Sequence, residues 1–268
     1  MSDSRPIGVF DSGLGGLTVV KELCRVMPKE NIIYFGDTGR VPYGTRSRDT
    51  IRKYAKEDED FLLKHNVKLI IAACGTVSSV AADISEQLPI PFFEVVSHAS
   101  YAAVKATKNK KIGVIGTAAT IKSGKHKECI NKIDPVIEVT SQCCSLFVPL
   151  VEEGWYGEND NVVLETVERY LEPIKQSGAD TLILGCTHYP VLSKAISKVL
   201  PNVTLINAGT ATADAVFEYL KKNDMQNIEG DGNNHKFFVS DKADSFRCQA
   251  SVLLGEEIED DKVSQVSF

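Results

Sequence analysis

The 268-residue chain has no run of basic residues, and its formal net charge is −6, so nucleic acid is not an expected partner. No stretch approaches the ~18 apolar residues that a membrane-crossing helix needs. The opening residues, MSDSRPIGVFDSG, contain no apolar core of a secretory signal. CxxC pairs are absent, as are the GxGxxG fingerprint and the P-loop, so the usual signals for a metal knuckle or a nucleotide are missing. No linker rich in Pro, Gly or Ser divides the chain. Seven cysteines, an odd count in a chain that reads as leaderless, suggest reduced thiols and a cytoplasmic location. What is there is ordinary for a globular protein, 43% hydrophobic and 25% charged. The length allows a large core in one or two domains.

The most informative stretch is DTLILGCTHYP, residues 180–190. An apolar strand over 181–184 stops abruptly at Gly185-Cys186-Thr187-His188, and a helix follows with Pro190 in its first turn, where a missing N–H costs little. A thiol, a hydroxyl and an imidazole therefore stand at the carboxyl end of a buried strand, where open α/β sheets bind ligands. Residues 68–79, KLIIAACGTVSS, echo this form with Cys74 and Thr76. A second pair agrees: IGVFD from Ile7 and IGVIG from Ile112 both run a short strand into small residues. Ile7 precedes Cys74 by 67 residues and Ile112 precedes Cys186 by 74. The pattern reads as two related α/β halves, each giving one cysteine to a shared cleft.

Further strands are expected near 31–35, 92–96, 136–139, 203–206 and 236–239, with the third strand of the first half at 67–72. Helices are expected at 17–27, 47–65, 99–107, 121–133, 146–153, 159–176, 191–199, 210–221 and 244–254. Thr76 or Ser78 is a candidate cap for the helix after Cys74, and the tail beyond Gly255 is expected to fray. Strand–helix alternation implies α/β architecture with mostly parallel sheets and helices on both faces. The expected organisation is two pseudo-symmetric domains, residues 1–97 plus 208–268 and residues 98–207, with the active site between them. The chain would cross near 96–99 and again near 207–209.

Two strand-end thiols facing one cleft suit proton transfer on opposite faces of a carbon. A free thiol titrates near 8.5, and a helix N-terminus lowers that. One thiolate could take a proton from a substrate carbon while the other thiol returns one, which is general acid–base catalysis with matched partners. A lone buried cysteine is more often a small inert hydrophobe, and Cys24, Cys129 and Cys248 are read that way. Cys143-Cys144 reads as packing. Asp11, beside the loop DSGLGG, would repel phosphate; it could assist a thiol, bind an ammonium, or simply cap a helix. Cys186-x-His188 has metal-ligand character but no matching second pair, so no metal is expected. His65, His98, His126 and His235 have no partner context.

Together these motifs resemble the aspartate/glutamate racemase superfamily, and glutamate racemases within it. The resemblance rests on FDSGLGG, VPYG at 41–44, both cysteine motifs, GTAAT at 116–120, PLVEEG at 149–154, GCTHYP at 185–190 and the terminal FRCQASVLLG. It implies a cofactor-independent isomerase that inverts glutamate, with Cys74 and Cys186 as the acid/base pair and Cys74 serving the D-isomer. Asp11 would support Cys74, and His188 would support Cys186. Glu152, or its neighbour Glu153, would be a further assisting carboxylate. Substrate contacts would fall on Asp11, Ser12, Tyr43, Gly44, Gly75, Thr76, Thr117, Thr120, Thr187 and His188. The resemblance also implies D-glutamate supply for peptidoglycan and a homodimer. One departure concerns substrate choice: the family motif usually reads Cys-Asn-Thr, and here it is Cys74-Gly75-Thr76. A lost charge-assisted hydrogen bond at that position would be worth about 1.5–3 kcal/mol. The alternatives are a racemase for another amino acid such as aspartate, a non-catalytic bilobal ligand-binding protein, and a thiol redox enzyme.

Overall fold

In a computed structural model of the chain, which describes residues 2–255 and 257–267, ten strands form two all-parallel sheets. In chain order they are β1 (Ile7–Asp11), β2 (Ile32–Gly36), β3 (Leu69–Ala72), β4 (Phe92–Glu94), β5 (Lys111–Gly116), β6 (Glu138–Cys143), β7 (Thr181–Leu184), β8 (Thr204–Asn207), β9 (Lys236–Val239) and β10 (Val263–Gln265). The first sheet has the order β10-β9-β2-β1-β3-β4 and the second β6-β5-β7-β8. The order β2-β1-β3-β4 is thus repeated in the second sheet, and β9 and β10 extend the first sheet beyond β2. The registers correspond as well: Phe10 lies opposite Ala72, and Ile115 opposite Leu184.

The central strands are apolar along their whole length because both faces are covered. LIIA in β3 and TLIL in β7 are buried at every position. Side chains alternate between faces. Val9 and Ile71 of the first sheet, with Val114 and Ile183 of the second, join one interior with helices Val95–Ala106 and Ala208–Lys222. Phe10, Ile70 and Ala72 point the other way, towards helix Arg48–Lys64. Leu182 and Leu184 do the same towards helix Asn161–Ser177. The two sheets therefore share a core where the chain passes between them. Each fully buried leucine or valine in that core contributes about 1.5–3 kcal/mol relative to exposure. Among the described residues, no helix is long and apolar enough to cross a membrane.

The structure departs from expectation in several places, each for a local reason. The helix expected at 99–107 begins at Val95, because the Glu94 carboxylate accepts the N–H groups of Val96 and Ser97 and ends β4. The helix expected at 121–133 is two helices, Ala118–Ser123 and Lys125–Ile133, separated by Gly124 at φ +67°. β6 begins two residues and ends four residues later than expected, since its sequence EVTSQC is polar and partly exposed at a sheet edge. Neither Thr76 nor Ser78 caps the helix Gly75–Val80; Cys74 occupies the N-cap. Ser78 instead donates to the Ala72 carbonyl and accepts from Val95 N–H. The tail does not fray wholly: β10 pairs with β9, and Ile258 is buried.

Candidate active site

In each sheet the strand order reverses beside its first strand, between β1 and β3 and between β5 and β7. Ligands in open α/β sheets bind in the crevice outside the carboxyl ends of strands at such switch points. Asp11 ends β1 and Cys74 lies two residues past β3; Thr117 follows β5 and Cys186 lies two residues past β7. The two crevices open on one cavity of about 280 Å³, which both thiols line. Cys74 and Cys186 are free of disulfides.

Cys74 is buried, and its Sγ lies 3.6 Å from Ser12 Oγ, to which it donates. Burial, the nearby Asp11 carboxylate and Cys186 push this thiol up to about 12, against the Val77 N–H and Ser12. The expectation of a thiol lowered by a helix N-terminus fails here, because burial and a neighbouring negative charge outweigh a single backbone donor. Asp11 is buried beneath the cleft and is not part of its lining. Its Oδ2 accepts the N–H groups of Gly13 and Gly16, holding the DSGLGG turn, while its Oδ1 has no hydrogen-bond partner. Burial raises the Asp11 carboxyl despite the His188 charge and the turn N–H groups. The turn-capping role and the charge beside the cleft thus coexist in one side chain. The glycines of the turn allow close approach: a Cβ on Gly15 would sit 2.6 Å from His188 Nδ1.

On the facing side, Cys186 Sγ lies 3.8 Å from His188 Nδ1. His188 Nε2 lies 3.2 Å from Glu152 Oε1, close enough for an ion pair but not aligned for a hydrogen bond. Burial disfavours the imidazolium. Cys186, Glu152 and the Asp11 charge outweigh it and raise His188 to about 10. A cation at neutral pH is therefore held between a thiol and a partly exposed carboxylate. Of the two adjacent glutamates, Glu152 lines the cleft, while Glu153 caps the end of helix Phe147–Glu152 and is exposed.

The expected contact residues Ser12, Tyr43, Gly44, Gly75, Thr76, Thr117 and Thr187 all line the cavity. Thr120 does not. It is buried one step behind, and its hydroxyl bonds Thr117 Oγ1 at 3.1 Å. Thr117 in turn bonds Thr76 across the cleft, also at 3.1 Å. Thr18 Oγ1 donates to the Thr187 carbonyl at 2.9 Å, a second link between the two sides. Tyr43 stands on a buried polar cluster: its hydroxyl donates to Asp37, and lies 3.2 Å from Asp58. Arg40 joins the same two carboxylates and Glu57. Asp37, Asp58 and Arg40 escaped the sequence reading, since nothing in the spacing of residues 37–58 links them to VPYG. Ser145, Val148 and Pro149 also line the cavity without having been anticipated.

Residues 10–216 match a family model described as Asp/Glu/Hydantoin racemase. A glutamate racemase from Sulfurihydrogenibium is 46% identical over 254 residues, covering 94% of each chain. A crystal structure of glutamate racemase from Francisella tularensis in complex with D-glutamate superposes with a TM-score of 0.91 at 39% identity, covering 99% of this chain and 98% of that one. The Thermus thermophilus glutamate racemase, solved with β-chloro-D-alanine, gives 0.89 at 42% identity, covering 100% and 99%.

Proposed function

The chain belongs to the Asp/Glu/hydantoin racemase family, and we propose that its cleft interconverts L- and D-glutamate through the two facing thiols without a cofactor. The observation that carries this is the pairing of unlike thiols at equivalent switch points, Cys186 beside an imidazolium and Cys74 held protonated beside Asp11. In the L-to-D direction, Cys186 as thiolate removes the α proton, and its negative charge is balanced by His188. The C–H electrons remain on the α-carbon, and the Cys74 S–H delivers a proton to the opposite face. Cys186 is left as thiol and Cys74 as thiolate, and exchange with solvent resets the pair. The reverse direction starts from Cys74. Glu152 assists by keeping His188 charged, and Asp11 biases Cys74 towards the protonated form. Ser12, Thr76, Thr117 and Thr187 supply hydroxyls for the substrate's polar groups, with Tyr43 and Gly44 closing the cleft beside Thr117 and Thr120 aligning Thr117.

The two lobes are residues 1–97 plus 208–268 and residues 98–207, a division supported by the membership of every strand. By its family, the enzyme supplies D-glutamate for peptidoglycan in the cytoplasm and acts as a homodimer. The test is circular dichroism of L-glutamate incubated with the protein after dialysis against chelator, with no cofactor added. The ellipticity decays to zero. Decay with L-aspartate and none with glutamate would transfer the activity to aspartate. No decay with either, from folded and reduced protein, would leave a ligand-binding protein in its place.

A further inference from the structure

The buried stripe of helix Arg48–Lys64 runs through Ile51, Ala55, Asp58 and Leu62 at helical spacing, so an aspartate fills a core position. Aspartate is almost never fully buried without a partner. Asp58 Oδ1 lies 3.4 Å from Arg40 Nη2, a long contact, and its Oδ2 lies 3.2 Å from the Tyr43 hydroxyl. Asp37 is better supplied. Its Oδ1 accepts the Ser240 hydroxyl at 2.7 Å, and its Oδ2 accepts both Arg40 Nε–H at 2.6 Å and the Tyr43 hydroxyl.

A count of protons decides the state of this cluster. A tyrosine hydroxyl carries one proton, and the closer contact, with Asp37, takes it. Asp58 Oδ2 then faces a lone pair, and an ionised carboxylate there would set acceptor against acceptor in a buried site. A proton on Asp58 turns the same contact into a hydrogen bond. We infer that Asp58 is a positioning residue held as a carboxylic acid: its O–H donates to Tyr43, whose O–H donates to Asp37, and these two bonds fix the turn that closes the cleft. Charge agrees, since the cation Arg40 sits nearer Asp37 and Glu57 than Asp58. Burial and the Asp37 charge push the Asp58 carboxyl well above the ordinary carboxylate range, against Arg40 and Tyr43. The turn held in this way is Tyr43–Thr45, which lines the cavity together with Val41 and Pro42. Gly44 packs closely on the facing lobe, where a Cβ on it would sit 3.2 Å from Thr117 Cβ. A shift of the turn is therefore felt where the substrate binds.

The bearing on glutamate binding rests on the racemase reading; the protonation of Asp58 does not. Asp58→Asn keeps an uncharged side chain that donates to Tyr43, whereas Asp58→Ala removes the donor. Both variants are assayed with L- and D-glutamate, alongside thermal melting. Asp58→Asn melts near the parent, and Asp58→Ala melts lower. Asp58→Asn keeps KM within about twofold of the parent, and Asp58→Ala raises it by up to about tenfold, the worth of one hydrogen bond. The change in kcat is far smaller, because the thiols and His188 are untouched. The infrared difference between the parent and Asp58→Asn at neutral pH shows the carbonyl band of a protonated carboxyl, which moves to lower frequency in D₂O. A carboxylate band in its place would show Asp58 ionised and overturn the inference. So would a parental KM in Asp58→Ala, or a KM in Asp58→Asn as high as in Asp58→Ala. An inactive parent protein would instead overturn the racemase reading, and the carboxyl band would still decide the state of Asp58.

Discussion

Replacing His188 with Asn removes the cation held between Cys186 and Glu152 while leaving a side chain of similar reach. The loss can be sized from the separation of the two groups. Unit charges about 4 Å apart interact by about 4 kcal/mol at an effective dielectric near 20, and Cys186 Sγ lies 3.8 Å from His188 Nδ1. His188, raised against burial to about 10 by Cys186, Glu152 and Asp11, is charged at neutral pH and so supplies that attraction. This places the cost of forming a Cys186 thiolate without His188 near 4 kcal/mol, or about 10³-fold in rate. Enantiomers have equal free energies in water, so kcat/KM must fall equally for L- and D-glutamate. The asymmetry appears elsewhere. With α-deuterated L-glutamate the primary isotope effect rises, because abstraction by Cys186 becomes limiting; with α-deuterated D-glutamate it rises less. The pH profile changes too. His188 is charged below about 10, so the parent loses activity as pH climbs through that value, and the variant lacks this limb. Linkage gives the same sign for stability: the raised imidazole stabilises the fold fully below 6.5, and that contribution is lost as pH rises through about 10. Turnover within tenfold of the parent, with the same alkaline limb, would refute the imidazolium's role.

Cys74→Ser abolishes racemisation in both directions, yet α-proton exchange from L-glutamate persists through Cys186; unimpaired inversion would remove Cys74 from the mechanism. Tyr43→Phe strips a hydroxyl from two buried carboxylates, Asp37 and Asp58. It costs about 1–3 kcal/mol in urea unfolding, with a higher KM for glutamate because the cleft wall at Tyr43 and Gly44 loses its support. Lys68→Met breaks an ion pair, Lys68 Nζ to Glu30 Oε2 at 2.6 Å with both side chains buried. It leaves Glu30 uncompensated, and the fold loses about 3–5 kcal/mol with no change in KM; a loss under 1 kcal/mol would mean that the pair is not structural.

Much of this was legible because burial and position coincide in parallel sheets. β3 and β7 read as apolar runs ending at a cysteine, and they are so because both faces are covered. The match of strand order between the sheets followed from the paired IGV and cysteine motifs. β6 was misjudged because an edge strand carrying Gln142 and Ser141 has no apolar period. β10 has no apolar run of its own to read, being three residues, VSQ, that pair with β9. Which residues gather at the cavity was legible and protonation was not: Cys74 looks like an activated thiol by spacing, but burial beside Asp11 pushes it the other way. The Asp37–Asp58–Arg40 cluster under Tyr43 is a tertiary arrangement with no local signature. Gly75 reads in the sequence as a missing side-chain contact, and it lines the cavity as backbone alone.

The most direct measurement follows where solvent hydrogen enters in the first turnovers. L-Glutamate is incubated with the protein in D₂O, and mass spectrometry after chiral separation reads both enantiomers early in the reaction. Two opposed thiols predict D-glutamate that carries deuterium at the α-carbon while the remaining L-glutamate is still largely protiated, with D-glutamate showing the converse when it is the starting isomer. Protium retained in the inverted product, or deuterium appearing equally in both enantiomers from the outset, would show one base serving both faces and would contradict the paired roles of Cys74 and Cys186.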